Sequence, residues 1–514
     1  MQLAFRHFSK TQFSQRLTSL FSSPLLLWVI ICFGILVRLV QYLYNRSLWA
    51  DEAVLALNIV NRTYLELLQP LDYEQGAPLG FLMVEKLAVQ LFGNNEYALR
   101  LFPLLSGIIS LLLFYFLAKR FIPRLAIPTA LALFASLPHL VYYASEVKQY
   151  STDVMIALLS CLVAMQLRRP KLNPAQIITI SIVGAIAIWF SHPAVFVLAG
   201  VGTPSLLVCI TRRETRIISK LGICFTWILS FAVFYFISIR SLGSSKELLQ
   251  SWQRKGAFPS SPFDIIWVFD SLGKFFHNPL GFTGLFDGLA ILVFVAGCIS
   301  YFYRRKEDLF ILLFPVFVTL FAAYLHKYPF GNRLVLFLTP FIILLIAEGA
   351  EYLLLKTRSK SIAIISILSI VLLLAPPLVN ASTRLVKPYL KEEIKPVISY
   401  VKNHQQPGDV LYIYQRGEYQ FKYYASRYGY KEGDYIVGVD DLDKFDGKRV
   451  SVEEWKRYKR DLDNLRGNKR VWLIFSHANI TVENEMIKSY LDSIGHKIDE
   501  FHSIVAFVYL YDLT

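Results

Sequence analysis

The sequence predicts a mainly α-helical membrane protein with about eleven transmembrane helices and a small α/β domain outside the bilayer. Three observations predict it. Hydrophobic residues make up 55% of the 514-residue chain and charged residues only 18%, against about 25% in an ordinary soluble domain. Apolar runs long enough to cross the hydrocarbon as helices recur from Pro24 to Pro376. Beyond Asn380 the pattern changes to short alternating strand-like and amphipathic helix-like stretches.

Composition first excludes the soluble classes. A mean hydropathy of +0.44 makes lipid the main solvent. The net charge of +15 comes from Lys and Arg tracts between apolar runs, with no basic stripe on a soluble domain, so the partner it implies is the lipid bilayer and no nucleic acid. Cys32, Cys161, Cys209, Cys224 and Cys298 lie in or beside apolar runs without C-x-x-C spacing and read as packing residues. Residues 1–23 carry Arg6, His7, Lys10 and Arg16 ahead of the first run, with no small-residue cleavage site after it. They read as the cytoplasmic segment of a retained signal anchor.

The runs fall at Pro24–Tyr44, Tyr97–Leu117, Leu125–Tyr142, Asp153–Leu167, Ala175–Phe190, Ala194–Ile210, Ser219–Ile239, Gly284–Tyr303, Leu309–Leu325, Leu334–Leu354 and Ser361–Pro376. With a cytoplasmic N-terminus, the cytoplasmic loops are Lys119-Arg120 with Arg124, Arg168–Lys171, Arg212–Arg216, Arg304–Lys306 and Lys356–Lys360. All are short and basic, as the positive-inside rule requires. The opposite set includes Asn45–Glu96, Tyr143–Thr152, Ser191–Pro193, Arg240–Thr283 and His326–Arg333. The organisation is thus 1–23, a membrane domain over 24–379 with a long first outside loop at 45–96, and an extracytoplasmic α/β domain over 380–514. In that last part, Leu390–His404 and Val452–Leu465 read as helices and Val410–Tyr414 and Arg470–Phe475 as strands, followed by a final helix and strands.

Chemistry concentrates in the outside loops. The first opens on Ser47-Leu48-Trp49-Ala50-Asp51-Glu52, two adjacent carboxylates immediately after the first span. It continues through Leu57–Leu68, amphipathic at helical spacing, then Asp72–Leu79 and Pro78–Phe92, an apolar stretch broken by Glu85 and Lys86 that reads as an interfacial helix. A neutral hydroxyl is a poor nucleophile, and a positioned carboxylate base contributes about 10²–10⁴-fold to its attack. Acidic residues also cap helices, and both readings fit Asp51 and Glu52 here.

A long first outside loop with an acidic pair straight after the first span, an E-x-x-x-P turn from Glu74 to Pro78 and interfacial helices resembles the GT-C superfamily of polyprenyl-phosphate-sugar-dependent glycosyltransferases. Bacterial members related to the protein O-mannosyltransferases, glycosyltransferase family 39, and to the aminoarabinose transferase of lipid A are the most similar in plan. The resemblance extends over the topology of almost the whole chain. It implies a polytopic fold of the GT-C type, a polyprenyl-phosphate-linked sugar donor, and inverting transfer to an acceptor hydroxyl at the outer face of the plasma (inner) membrane. The acceptor, whether protein, lipid or glycan, stays open.

Carried over position by position, the resemblance makes Asp51 the catalytic base, with Glu52 its neighbour orienting Asp51 or the acceptor. Glu74 would arrange the donor phosphate, although Gln75 stands where the aminoarabinose transferases have lysine. Asp153 matches the second acidic position, and Lys148 and Tyr150 the basic and aromatic residues before it. The alternative is that Ser151 and Asp153 cap a helix while Lys148 snorkels. His192 would contact sugar or phosphate, or serve only its turn. Arg333, with Lys327 as companion, would hold the departing phosphate by a bidentate fork, or anchor its span at the interface. No cofactor is demanded by the spacing; a divalent cation would find its oxygen ligands in Asp51, Glu74 and Asp153.

Two rival classes are weighed against this. A transporter or flippase would place ionisable groups at mid-membrane, whereas charges in these spans are few, notably Arg38, Glu348 and Glu351 near their ends. A surface-glycan polymerase or ligase would carry its key residues in late outside loops.

Overall fold

A computed structural model of the chain describes residues 23–211, 217–242, 245–355, 360–439, 450–478 and 481–514. The N-terminal basic segment, the 212–216 tract and most of Lys356–Lys360 lie outside the described residues. The helices of the membrane part are α1 (Pro24–Leu43), α2 (Ala50–Asn61), α3 (Leu79–Phe92), α4 (Glu96–Phe121), α5 (Ile127–Ser136), α6 (Pro138–Tyr142), α7 (Tyr150–Ala164), α8 (Pro174–Phe190), α9 (Ala194–Thr211), α10 (Ile217–Phe234), α11 (Lys246–Arg254), α12 (Ile265–His277), α13 (Leu285–Arg304), α14 (Lys306–Tyr324), α15 (Thr339–Leu355) and α16 (Lys360–Arg384).

Every apolar run expected to span is helical. Among the described residues nine helices are long and apolar enough to cross a membrane, so the protein is a multi-pass membrane protein. The third run is instead a broken pair, α5 and α6, bent by 58°, and the fifth, α8, has 17 residues. The break has a local cause. Pro138 lacks an N–H and forces Leu137 out of the helical region, to φ −58°, ψ 130°. The carbonyls freed at the end of α5 are met by Arg38 of α1, whose guanidinium donates to Phe134 O at 3.2 Å and Ala135 O at 3.1 Å. Arg38 is therefore a buried structural cap, which explains one charge the sequence leaves inside a span.

At the centre lies α15, its span almost wholly buried in protein. It crosses α13 at Gly297 and Gly349, where a Cβ on either glycine would collide with a backbone carbonyl of the opposite helix. Small residues at such a crossing let two backbones approach without a water-driven hydrophobic force.

Three of the described basic loops meet at one end of the bundle. Arg168 pairs with Glu307 at 2.7 Å and Asp308 at 2.6 Å, and Arg305 donates to Phe121 O at 3.0 Å. The first loop differs from its expected form: the helix occupies 50–61, ahead of the amphipathic 57–68 stretch, with only a 3-10 turn at Glu66–Leu68. Pro78–Phe92 is helical as its pattern suggests.

The C-terminal part contains α17 (Lys395–His404), β1 (Val410–Ile413), α18 (Glu418–Ala425), β2 (Ile436–Val437), α19 (Val452–Asp463), β3 (Val471–Ser476), α20 (Thr481–Ile494), β4 (His496–Ser503) and β5 (Ala506–Asp512). The strands run in the order β2-β1-β3-β5-β4, with β1 parallel to β2 and β3, and β5 antiparallel to β3 and β4. All six residues of β3 are buried. Trp472 and Ile474 pack with Ile398 and Val401 of α17, while Leu473 and Phe475 pack with Leu462 of α19 and Leu491 of α20. A two-residue period with both faces covered explains why VWLIFS is apolar throughout.

Candidate active site

The site lies at the bundle end opposite the basic loops, where the 45–96 loop, the 143–149 loop and the turn before α15 converge. Residues 45–49 leave α1 without regular structure, and Asp51 and Glu52 occupy the first turn of α2, the positive end of its dipole. The two neighbours point into different surroundings. Asp51 meets Lys148 Nζ at 3.0 Å and Arg333 at 2.6 Å. Burial raises the Asp51 carboxyl, but these two cations outweigh it and hold the group well below the usual carboxylate range. Burial in turn pulls the Lys148 ammonium down, against the attraction of Asp51.

Glu52 is completely buried. Its oxygens accept from Arg46 at 2.6 Å, from Arg100 Nε and Nη2 at 3.0 and 2.9 Å, from the Val147 amide at 2.9 Å and from the Trp49 amide at 3.3 Å. Burial opposes ionisation there, and the two arginines reverse it, so the carboxyl is lowered. Every lone pair of Glu52 is thus engaged in fixing the loop, and none is left for an acceptor. Glu52 also caps α2 by accepting the Trp49 amide, while Asp51, 19% exposed, faces solvent-accessible space.

Of the other expected residues, Tyr150 is brought in: the Arg333 guanidinium sits 5.3 Å over its ring and 5.8 Å from the Trp49 ring. Arg333 is held by the 3-10 turn Asn332–Leu338 that leads into α15, and the adjoining Phe330 amide donates to Ala257 O at 2.9 Å, linking the long 240–283 loop to the site. Asp153 is a buried first-turn residue of α7, with Ser191 as its neighbour. His192 is buried, and burial pushes its imidazole down to about 4, so it is neutral at physiological pH. Two residues stay apart. Glu74 is exposed in a 3-10 turn whose Tyr73 and Glu74 have φ of 62° and 54°; its neighbour Gln75 reaches in and accepts from Lys148 at 2.6 Å. Lys327 is exposed beyond α14 and makes none of the contacts of the Asp51 cluster.

Glu146, Lys391 and Glu392 join the site without having been singled out by the sequence. Glu146 is buried, accepts from Trp49 Nε1 at 2.8 Å, and is raised by burial and by Glu52. Lys391, from the segment after α16, lies 2.9 Å over the Trp49 ring. Glu392 accepts from the Ala50 amide at 3.1 Å, and Glu393 from the Ser47 amide and hydroxyl at 3.1 and 2.9 Å. From α18, Tyr424 accepts the Leu48 amide at 2.8 Å and donates to Glu96, and Gln420 donates to Leu48 O at 2.9 Å. The C-terminal domain therefore grips the backbone on both sides of Trp49. The one sequence signal was the charged run Lys391-Glu392-Glu393 beside the last span.

Native proteins leave few buried polar atoms unpaired. Here Tyr142 Oη, Glu146 Oε2, Gln149 Oε1 and His192 Nε2 lack a protein partner, and they lie in the loops and span ends around Tyr150. Such a concentration suits a polyhydroxylated ligand. The proposed metal ligands Asp51, Glu74 and Asp153 are not gathered: among the described residues no three His, Cys, Asp or Glu side chains form a group fit for a metal ion. Asp51 is already ligated by two cationic side chains, and Glu74 is exposed, so the donor set does not fit a divalent cation.

No protein-family model and no curated protein matches the sequence. Solved structures do match in fold. The chain is similar to ArnT from Cupriavidus metallidurans in the apo state, at 11% identity, TM-score 0.52, over 94% of this chain and 97% of that one. It is similar to the same ArnT bound to undecaprenyl phosphate, at 10% identity and TM-score 0.50, over 94% and 98%. The Archaeoglobus fulgidus oligosaccharyltransferase in complex with Zn and sulfate matches at 10% identity and TM-score 0.51, over 93% of this chain and 72% of that one. The multi-pass helical membrane domain with its small C-terminal sheet thus has the GT-C fold.

Proposed function

We propose that this protein is a membrane glycosyltransferase that moves a hexosyl or pentosyl group from a polyprenyl-phosphate donor to an acceptor hydroxyl on the extracytoplasmic side. The observation that carries the reading is Asp51, a partly exposed carboxylate bridged by Lys148 and Arg333 among buried polar atoms that lack protein partners. The structure of ArnT bound to undecaprenyl phosphate supports the donor class. The clustering of the described basic loops at the far end supports an outward-facing site with a cytoplasmic N-terminus.

In this mechanism Arg333 and Lys148 receive the donor phosphate, and the acceptor hydroxyl approaches Asp51. Its oxygen bonds to the anomeric carbon, its proton passes to Asp51, and the carbon–oxygen bond to the lipid phosphate breaks with both electrons leaving on the phosphate. A single displacement inverts the anomeric centre. A carboxylate held in two ion pairs is a weak base. An incoming phosphate competes for Arg333 and Lys148, so the basicity of Asp51 rises as the donor seats, and the enzyme is armed by its own substrate. Tyr150 and Trp49 flank Arg333 and fix its fork. His192 offers an unpaired polar atom, and Asp153 with Ser191 a polar pair, for sugar hydroxyls.

The test is incubation of the purified protein, in lipid nanodiscs, with polyprenyl-phosphate sugars and a panel of acceptors, beside Asp51→Asn. Transfer by the parent and a loss of about 10²-fold or more in the variant are expected. Equal rates would remove Asp51 from the chemistry.

A further inference from the structure

Glu146 belongs to the Asp51 cluster, yet the proposed chemistry gives it no task. It stands in the 143–149 loop, fully buried, and its two oxygens are treated unequally. Oε1 accepts from Trp49 Nε1 at 2.8 Å, and Oε2 meets no protein partner. The neighbouring carboxylates are each matched by two cations, Asp51 by Lys148 and Arg333 and Glu52 by Arg46 and Arg100. Among the described residues no cation pairs with Glu146.

Taking the glycosyltransferase reading as its basis, we propose that Glu146 is a positioning residue that works as an uncharged acid: it fixes Trp49, the ring shared by Lys391 and Arg333, and leaves the positive charge of Arg333 to the donor phosphate.

Desolvation comes first. A buried carboxylate without a paired cation is costly, and such a group keeps its proton instead. Glu52 adds to this: Val147, the residue after Glu146, donates its amide to Glu52 at 2.9 Å, so both acids are pinned to one short loop. Burial, and then the Glu52 carboxylate, hold the Glu146 carboxyl above its usual range, against the pull of Arg333, Lys391 and Arg46. Lys148, Tyr142, Tyr143 and Tyr150 face it as well. Glu392 and Glu393 are engaged elsewhere, by His477 and by the Ala50 and Ser47 amides.

Position comes second. Trp49 is buried two residues ahead of Asp51. Its amide donates to Glu52 at 3.3 Å, Lys391 Nζ lies 2.9 Å over the centre of its ring, and the Arg333 guanidinium lies 5.8 Å from that centre. A tryptophan side chain has a single donor, so the bond to Glu146 is the one hydrogen bond that sets how the ring is turned. A carbonyl oxygen serves that bond as a carboxylate oxygen does, and the task needs no charge.

Charge comes third. Arg333 and Lys148 share the single carboxylate of Asp51, which leaves positive charge for an incoming phosphate. An ionised Glu146 facing Arg333 would cancel part of it and weaken the hold on the donor. That charge appears only as pH rises, so the loss falls on the alkaline side.

The test uses the full-length protein in lipid nanodiscs. Infrared difference spectra of the parent against Glu146→Gln at neutral pH are expected to show the carbonyl band of a protonated carboxyl; a carboxylate band in its place would overturn the uncharged acid. Turnover of a polyprenyl-phosphate sugar, read as transfer or as release of sugar to water, then measures the task. Glu146→Ala and Trp49→Phe are each expected to lower kcat by about tenfold, and the double variant by no more than either alone, since both remove one bond. Glu146→Gln keeps an acceptor for Trp49 and should recover most of what Ala loses; a Gln variant as slow as Ala would overturn the neutral bond. From neutral to alkaline pH, KM for the donor should rise about tenfold further in the parent than in Glu146→Gln, the order of effect of one new charge beside the phosphate site. Lys148 titrates in both proteins and cancels from the comparison. Parallel KM profiles would overturn the claim on Arg333 and leave the glycosyltransferase reading intact. A parent that turns over no donor sinks the glycosyltransferase reading itself, and the infrared band then still decides whether Glu146 holds its proton.

Discussion

Replacing Glu52 by Gln distinguishes a structural carboxylate from a catalytic one. In the parent, Glu52 balances the buried guanidinium groups of Arg46 and Arg100, which are 1% and 2% exposed. Gln keeps the shape but puts an NH2 where one oxygen accepts a guanidinium N–H, and it removes the negative charge that balances the two arginines. Breaking a buried ion pair from one side costs about 3–5 kcal/mol, because the partner stays desolvated without compensation. At roughly 2 °C per kcal/mol for a large chain, the expected fall in the unfolding midpoint is about 5–10 °C. Intrinsic-fluorescence melting of the detergent-purified protein reads it, with Asp51→Asn alongside. Asp51 and Arg333 are partly exposed and Lys148 keeps Gln75 as an acceptor, so its variant should melt within about 2 °C of the parent. An unchanged midpoint for Glu52→Gln would refute the clamp. Parent-like melting combined with loss of transfer would refute the whole division of labour and make Glu52 a reacting group.

Other outcomes follow from the same geometry. Because the Asp51 carboxyl is lowered, its ion pairs stabilise the protein above the ordinary carboxylate range and are lost only as pH falls through its depressed value; acid titration monitored by melting should show no Asp51-dependent loss between pH 7 and 5. Arg333→Gln removes one of the two cations that lower Asp51, so the acid limb of the transfer rate should move to higher pH while KM for the donor rises; a limb that stays put would detach Arg333 from Asp51. Tyr424→Phe deletes the hydroxyl shared by Glu96 and the Leu48 amide, for about 1–3 kcal/mol, and should lower kcat more than it raises KM by loosening the backbone before Asp51. Gly349→Val puts side chain into the α13 carbonyl and should abolish monodisperse purification, whereas the same change at exposed Gly288 should not.

Much of this architecture was legible in the residues, and the failures are local. Long apolar runs left the bilayer as the only solvent, so all the expected spans appear as helices. What the runs did not reveal was that Pro138 turns one span into a bent pair, because a proline near the centre of an apolar stretch is compatible with both a kink and a continuous helix. Asp51, Lys148, Tyr150 and Arg333 converge, as the resemblance implies. Glu52 carries the same charge one residue later but points at Arg46 and Arg100, and no linear pattern says which of two adjacent carboxylates faces inward. Lys391, Glu392, Tyr424 and Gln420 escaped for another reason. They stand more than 300 residues from the loop they hold, and only the folded chain brings them there. The short α18 that supplies Tyr424 and Gln420 has too weak a pattern to be read as a helix on its own.

The grip of the C-terminal domain on residues 47–50 also sets an order of events during synthesis. Ser47 leaves the ribosome 346 residues ahead of Glu393, and Leu48 376 residues ahead of Tyr424. Until that final portion has been made and folded, the first loop lacks its fastening and Asp51 its fixed bearing. A chain that has inserted all its spans but not yet folded this last portion therefore lacks the fixed loop, and on the proposed reading stays inert.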